Sequence, residues 1–142
     1  MDASDVYWLD GTFTKHATLL KKSLVDETVT RLAHGLRGGA LALDATNLYF
    51  TSPPYVLKVP LGGGMATTLA SHIGSLDGAS VTVDGTNMYF TTGRFVGKVP
   101  IAGGMVTTLG KTSSYGAVAV DATSVYWTAA SATGAVYKRT PK

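Results

Sequence analysis

Hydrophobic positions along this chain fall in short runs, separated by turn-forming residues, and the runs recur. Leu41-Ala42-Leu43-Asp44-Ala45-Thr46-Asn47-Leu48-Tyr49-Phe50-Thr51 returns as Val81-Thr82-Val83-Asp84-Gly85-Thr86-Asn87-Met88-Tyr89-Phe90-Thr91. It returns again as Val118-Ala119-Val120-Asp121-Ala122-Thr123-Ser124-Val125-Tyr126-Trp127-Thr128, and a clipped copy, Asp2-Ala3-Ser4-Asp5-Val6-Tyr7-Trp8-Leu9, opens the chain. The marker aspartates stand at 2, 44, 84 and 121, so the spacings are 42, 40 and 37. A second block follows the first. Lys58-Val59-Pro60-Leu61-Gly62-Gly63-Gly64-Met65 matches Lys98-Val99-Pro100-Ile101-Ala102-Gly103-Gly104-Met105, and Lys21-Lys22-Ser23-Leu24 is a worn version. Val136-Tyr137-Lys138 begins a last one.

Each full unit predicts four short strands. In the second unit these are Ala40 to Leu43, Leu48 to Thr51, about Val56 to Leu61 and about Met65 to Ala70. The Asp44-Ala45-Thr46-Asn47 turn joins the first two, because Asp and Asn side chains bond nearby backbone N–H groups. Gly62-Gly63-Gly64 joins the last two and supplies residues free to take positive φ. Self-similarity at about 40 residues with four strands per unit is the signature of an all-β propeller blade. A β-solenoid is the rival, but its coils are usually shorter. The repeats divide one domain, 1–142, at approximately 1–39, 40–79, 80–116 and 117–142.

Composition narrows the function classes. Only 15% of the residues are charged, which disfavours long solvated helices, while 45% are hydrophobic and allow a packed core. The net charge of +3 is scattered and forms no stripe, which argues against a nucleic-acid surface. With no cysteine there is no disulfide and no thiolate metal site. No N-terminal segment resembles a signal peptide, and no apolar run approaches the roughly 18 residues of a membrane span.

Tyr7-Trp8-Leu9-Asp10, Tyr49-Phe50-Thr51, Tyr89-Phe90-Thr91 and Tyr126-Trp127-Thr128 carry a resemblance to the YWTD-type β-propellers and related bacterial repeat proteins. Leu61-Gly62-Gly63 stands near that family's Leu-Asp-Gly turn. The resemblance covers nearly the whole chain and implies a propeller fold and an extracellular or cell-envelope address. It implies no single function, since the fold hosts receptors, lectins, scaffolds and lyases. The tetrapeptide aspartate survives only as Asp10, with Ser52, Thr92 and Ala129 as its counterparts. Family propellers usually close six blades; this chain supplies about four.

The predicted strands number three, four, four and three, fourteen in all. The first unit lacks its inner strand and the last its outer one, and these cannot fill each other in a simple ring closure. Unpaired edges and an uncovered apolar face favour association. The expectation is therefore self-association, with two chains giving about eight blade-like units in one ring.

For chemistry, the aromatic pairs read as core and the marker aspartates as turn caps. No D-x-D-x-D-G calcium loop occurs. Lys21, Lys58, Lys98 and Lys138 read as lying toward the solvated blade edge. His16, His34 and His72 show no metal-ligand spacing, and no cofactor or metal is called for. His34 and His72 are expected in the loops from outer to inner strands, one residue apart in repeat register, around the mouth of a central channel. Loop lengths differ where the framework does not. From marker aspartate to the residue before the repeated lysine is 13 residues at 44–57 and 84–97, but 18 at 2–20 and 16 at 121–137. The long connections carry Asp10 to His16 and Ala129 to Gly134. Function on propellers lives in such loops, which makes His34, Arg37, Tyr55, His72, Arg94 and Tyr115 the candidate ligand-binding residues. The leading expectation is a non-catalytic binding or scaffold module for a protein or glycan. The alternatives are a lyase or hydrolase using His34 or His72, and a propeller fragment whose only property is assembly.

Overall fold

The structure is a computed structural model, and it describes residues 4–12, 15–74, 79–113, 116–129 and 134–142. Among them it holds no helix and fourteen strands, in four antiparallel sheets. The first sheet is β1 (Asp5–Thr12), β2 (Lys15–Ser23) and β3 (Val29–Leu36). The second is β4 (Leu41–Leu43), β5 (Asn47–Ser52), β6 (Tyr55–Pro60) and β7 (Thr67–Ala70). The third is β8 (Val81–Val83), β9 (Asn87–Thr91), β10 (Phe95–Pro100) and β11 (Thr107–Lys111). The fourth is β12 (Val118–Val120), β13 (Val125–Ala129) and β14 (Ala135–Arg139). Within each sheet the strands lie side by side in chain order. The division into three, four, four and three is the one the repeats predict.

Two boundaries differ from expectation. The fourth strand of the second sheet starts at Thr67, because Gly63 and Gly64 take φ of 85° and 132° and carry Met65 out into solvent. In the first sheet the long connection is partly strand: β1 runs on through Asp10, opposite Thr18, to Thr12, opposite Lys15. The extra residues lengthen a hairpin.

Both faces of a middle sheet are apolar, and adjacent strand residues supply opposite faces. Leu48 and Phe50 pack with Tyr7, Leu19 and Leu32 of the first sheet. Tyr49 and Val56 face the other way, onto Met88, Phe90 and Val99 of the third. Tyr89, Val96 and Leu109 then meet Val118, Val125 and Trp127 of the fourth. Three cores thus alternate with four sheets. The short inner strands β4, β8 and β12 lie next to one another in that order.

The marker aspartates do two jobs. Asp84 Oδ1 accepts the backbone N–H groups of Thr86 and Asn87, both at 2.8 Å, and closes the turn. Its Oδ2 accepts the Tyr89 hydroxyl at 2.9 Å. Asp44 does the same with Thr46, Asn47 and Tyr49, and Asp121 with Thr123, Ser124 and Tyr126. The turn therefore fixes the tyrosine that crosses to the next sheet. Asp2 lies outside the described residues.

The four repeated lysines are not solvated edge groups as a set. Lys58 Nζ crosses to the carbonyl of Ile101 in the third sheet at 2.7 Å. Lys21 pairs with Asp5 at 2.9 Å, and Lys138 sits over the Tyr126 ring. Their stems lie along apolar strand surface, which brings the charge to a neighbour within reach.

These contacts predict a stability profile with two limbs. Backbone N–H of Thr123, then the Tyr126 hydroxyl and Ser124, lower Asp121 to about 2. Burial raises Asp84, but bonds from Lys142, Thr86, Asn87 and Tyr89 outweigh it and hold its carboxyl well below the usual range. Burial, and then the facing carboxylates, push Tyr49 and Tyr89 up to about 12. The depressed aspartates contribute stability above the ordinary value of 3.8, and it is lost as pH falls toward about 2. The raised tyrosines contribute below the ordinary value of 10.0, and this is lost as pH rises toward about 12. Melting temperature measured against pH should be level between these limbs. Asp84→Asn should shrink the acid limb and Tyr89→Phe the alkaline one. Phe90→Ala, which empties the second core, should cost roughly 3–5 kcal/mol in urea denaturation.

Candidate functional site

The second and third strands of each sheet turn at the same end as the crossing from outer strand to the next inner strand. Backbone bonds tie these loops together. The Arg37 N–H donates to Ser52 Oγ at 2.8 Å, Ile73 to the Pro54 carbonyl at 3.2 Å, and Thr112 to the Arg94 carbonyl at 3.0 Å. Thr92 Oγ1 accepts from the N–H groups of Arg94 and Phe95. Ser52 and Thr92, which stand where the tetrapeptide aspartate would be, therefore cap this end of the molecule.

Arg37, Tyr55, His72 and Arg94 are exposed on that end. Hydrogen bonds tie the loops of Arg37, Tyr55 and His72 to one another, and the loop of Arg94 to Thr112. His34 is placed differently from expectation. It lies inside β3, because the first sheet's outer strand continues through Leu36. Tyr115 falls outside the described residues.

The two histidines do not ring the inner strands. Each lines a cleft at the outer rim, where the outer strand of one sheet meets the turn of the next, because β3 and β7 are the outermost strands of their sheets. Arg31, Leu32, Ala33, His34 and Leu36 form one side of a cleft of about 400 Å³, with Gly64 and Ala66 opposite. Thr68 to Ile73 form one side of a cleft of about 650 Å³, with Phe95, Thr108 and the Gly104–Val106 stretch opposite. Leu32 and Leu69 are the same residue of the repeat, so these are two copies of one groove. Gly103 in its floor takes φ of 88°, a backbone that favours glycine, and the Gly104 N–H bonds the Leu69 carbonyl at 3.1 Å. His72 has φ of 58°, a left-handed backbone that side chains disfavour, and its Nδ1 lies 2.9 Å from Ser71 Oγ.

A third cleft, of about 430 Å³, lies elsewhere. Tyr7, Trp8 and Leu9 of β1 form one wall, and Gly39 with Leu41, Ala42 and Leu43 of β4 form the other. Sequence reasoning passed over it. The signal was present in the threonine that ends Tyr49-Phe50-Thr51, Tyr89-Phe90-Thr91 and Tyr126-Trp127-Thr128. Thr51, Thr91 and Thr128 each accept, at Oγ1, the N–H of the residue leading into the inner strand: Ala40, Ser80 and Ala117. Leu9 stands at that position in the first sheet.

Among the described residues, no three His, Asp or Glu side chains come together as a metal group. Among the same residues no helix is long and apolar enough to cross a membrane. No family model matches this chain, and no curated protein matches it.

His72 stores backbone strain that a glycine at the same φ would not. His72→Gly is expected to stabilise the protein by about 0.5–1 kcal/mol, read from the urea midpoint. A lower midpoint would show that the contact with Ser71 outweighs the strain.

Proposed function

We propose that the chain is a segment of β-propeller, of the YWTD kind its sequence resembles, and acts as a non-catalytic binding or scaffold module that completes itself with another copy. The observation that carries this reading is Val136. It is 75% exposed, whereas Val56 and Val96, which occupy the same place in the repeat, are 0% exposed under the following sheet. Tyr126 is half-buried where Tyr49 and Tyr89 are fully buried, and Thr128 is exposed where Thr51 and Thr91 are not. The fourth sheet presents the face that the second and third sheets bury.

The first sheet presents its counterpart. Val6, Trp8 and Leu20 are half-buried and stand where Leu48, Phe50 and Leu57 receive the sheet before them. Leu24 takes the place of Ile101, the residue whose carbonyl holds Lys58, and Leu24 is exposed. Lys138 of one copy then reaches the Leu24 carbonyl of the next, as Lys58 reaches Ile101. Such contact is head to tail, and it gives a closed ring if the rotation per sheet allows it. Burying this much apolar face favours association at roughly 25 cal/mol per Å² before the entropic cost of docking.

On that scaffold the end bearing Arg37, Tyr55, His72 and Arg94 and the rim clefts of His34 and His72 form the binding surface for a protein or glycan. The cleft walls set His34, Arg31 and His72 beside apolar residues such as Leu32, Leu69 and Phe95, which offers a ligand both hydrogen-bonding and apolar contact.

Light scattering should return a discrete multiple of the monomer mass. Val136→Lys, at an exposed position that leaves the fold untouched by far-ultraviolet circular dichroism, should return the monomer. A monomeric parent chain at micromolar concentration would sink the self-association.

A further inference from the structure

We propose that the end bearing Arg37, Tyr55, His72 and Arg94 takes an acidic polysaccharide, a chain of sugars with a carboxylate on alternate rings. This rests on the reading of that end as the binding surface and names its ligand. Charge is scattered along the sequence, and the fold sorts it. The Leu61 N–H bonds the Thr46 carbonyl and the Ile101 N–H that of Thr86, both at 3.0 Å, so the glycine turns and the aspartate turns share one end. Asp44, Asp84 and Asp121 lie there because each closes an aspartate turn. Asp5 joins them opposite Ser23, and Asp26 and Glu27 follow in the turn after β2. Lys21 and Lys142 at that end pair with Asp5 and Asp84. Of the nine Asp and Glu residues, Asp2 and Asp77 lie outside the described residues, and of the other seven only Asp10 stands at the opposite end.

That opposite end carries Arg37, Arg94 and Lys111, all exposed. Their order follows from the loop bonds. The crossings at Arg37 and at Ile73 both bond the turn that leads to Tyr55, at Ser52 Oγ and at the Pro54 carbonyl. Phe95, next to Arg94, lines the same cleft as His72. Thr112, next to Lys111, bonds the Arg94 carbonyl. The cations therefore follow one another from sheet to sheet, with Tyr55 and His72 between Arg37 and Arg94. Packed sheets stand about 10 Å apart. That is close to the length of two pyranose rings, so a carboxylate on every second ring keeps step with the cations.

The side chains between the cations favour a sugar over an acidic peptide. Tyr55 is 44% exposed, and its ring offers an apolar face to the C–H side of a pyranose. Thr68, Ser71 and Thr108 set exposed hydroxyls along the cleft beside His72, and these both donate to and accept from sugar hydroxyls. The guanidinium forks of Arg37 and Arg94 match a carboxylate with two parallel bonds.

The test uses the full chain and a fluorescein-labelled octasaccharide of alternating glucuronate and N-acetylglucosamine, read by fluorescence polarisation. Saturable binding is expected, and it should weaken as salt is added. Arg37→Ala and Arg94→Ala should each bind about tenfold more weakly. Lys22→Ala, at the aspartate end, should bind as the parent does. Tyr55→Ala should weaken binding about threefold to tenfold and leave its salt dependence unchanged. The same octasaccharide with its carboxylates reduced to alcohols should bind about tenfold more weakly. Equal binding of the reduced sugar would overturn the acidic ligand and leave the binding surface standing. A glutamate octapeptide or an oligonucleotide bound as tightly would likewise keep the surface and overturn the glycan. No saturable binding, or a loss in Lys22→Ala equal to that in the arginine variants, would overturn the proposal as well.

Discussion

A sheet with two apolar faces needs two neighbours, and this requirement organises the whole chain. A sheet that packs on one side alone can make its other face polar. Here Leu48 and Phe50 point one way and Tyr49 the other, and all three are buried. The consequence is an array of stacked sheets with a core in every interval. The middle sheets are satisfied. The first and fourth each have one face whose chemistry matches the buried ones and whose exposure does not.

The aspartate turns make that stacking specific. A tyrosine is the largest side chain each middle sheet sends to its neighbour, and its hydroxyl must bond something once water is excluded. The carboxylate that closes the preceding turn is within 2.9 Å of it in Tyr49 and Tyr89. One residue thus sets the hairpin and aims the ring across the interface. The glycine turns act at the rim. Gly103 and Gly104 sit against Leu69, so the turn of one sheet rests on the outer strand of the sheet before it. A repeat of sequence becomes a repeat of interfaces, because residues that mark the repeat, such as Tyr49 and Lys58, touch the next sheet as well as their own.

The fold class was legible for the same reason. Period-two runs, the Asp-x-Thr-Asn turns and the glycine turns are local signals, and local signals decide strands and hairpins. Their spacing predicted the strand tally, including the short first and last sheets. The propeller arrangement needs more: how far each sheet rotates on the last is set by side-chain volumes in three cores, which no single motif encodes. The candidate site was less legible. His34 was expected in a loop because its repeat counterpart, Ser71, follows a strand end at Ala70; in the first sheet the outer strand continues to Leu36. The rim clefts join residues some 30 positions apart, such as His34 and Gly64, through packing between sheets. The cleft beside β1 was missed because it is marked by a substitution, Leu9 for threonine, and its meaning appears only when the Thr51–Ala40 bond is seen.

The outward face of the fourth sheet offers side chains: Tyr126, Val136 and the stem of Lys138. Their repeat counterparts Tyr49 and Val56 are fully buried against the third sheet, and Lys58 crosses to the Ile101 carbonyl. A face of this kind selects by shape, since it must fit rings and branched side chains at close packing density. In the first sheet Val6, Trp8 and Leu20 are half-buried and stand where Leu48, Phe50 and Leu57 of the second sheet receive their neighbour. The two outermost faces of the array therefore carry the two halves of the interface that the middle sheets repeat, and the same packing rule that orders the sheets within the chain governs what either outer face can accept.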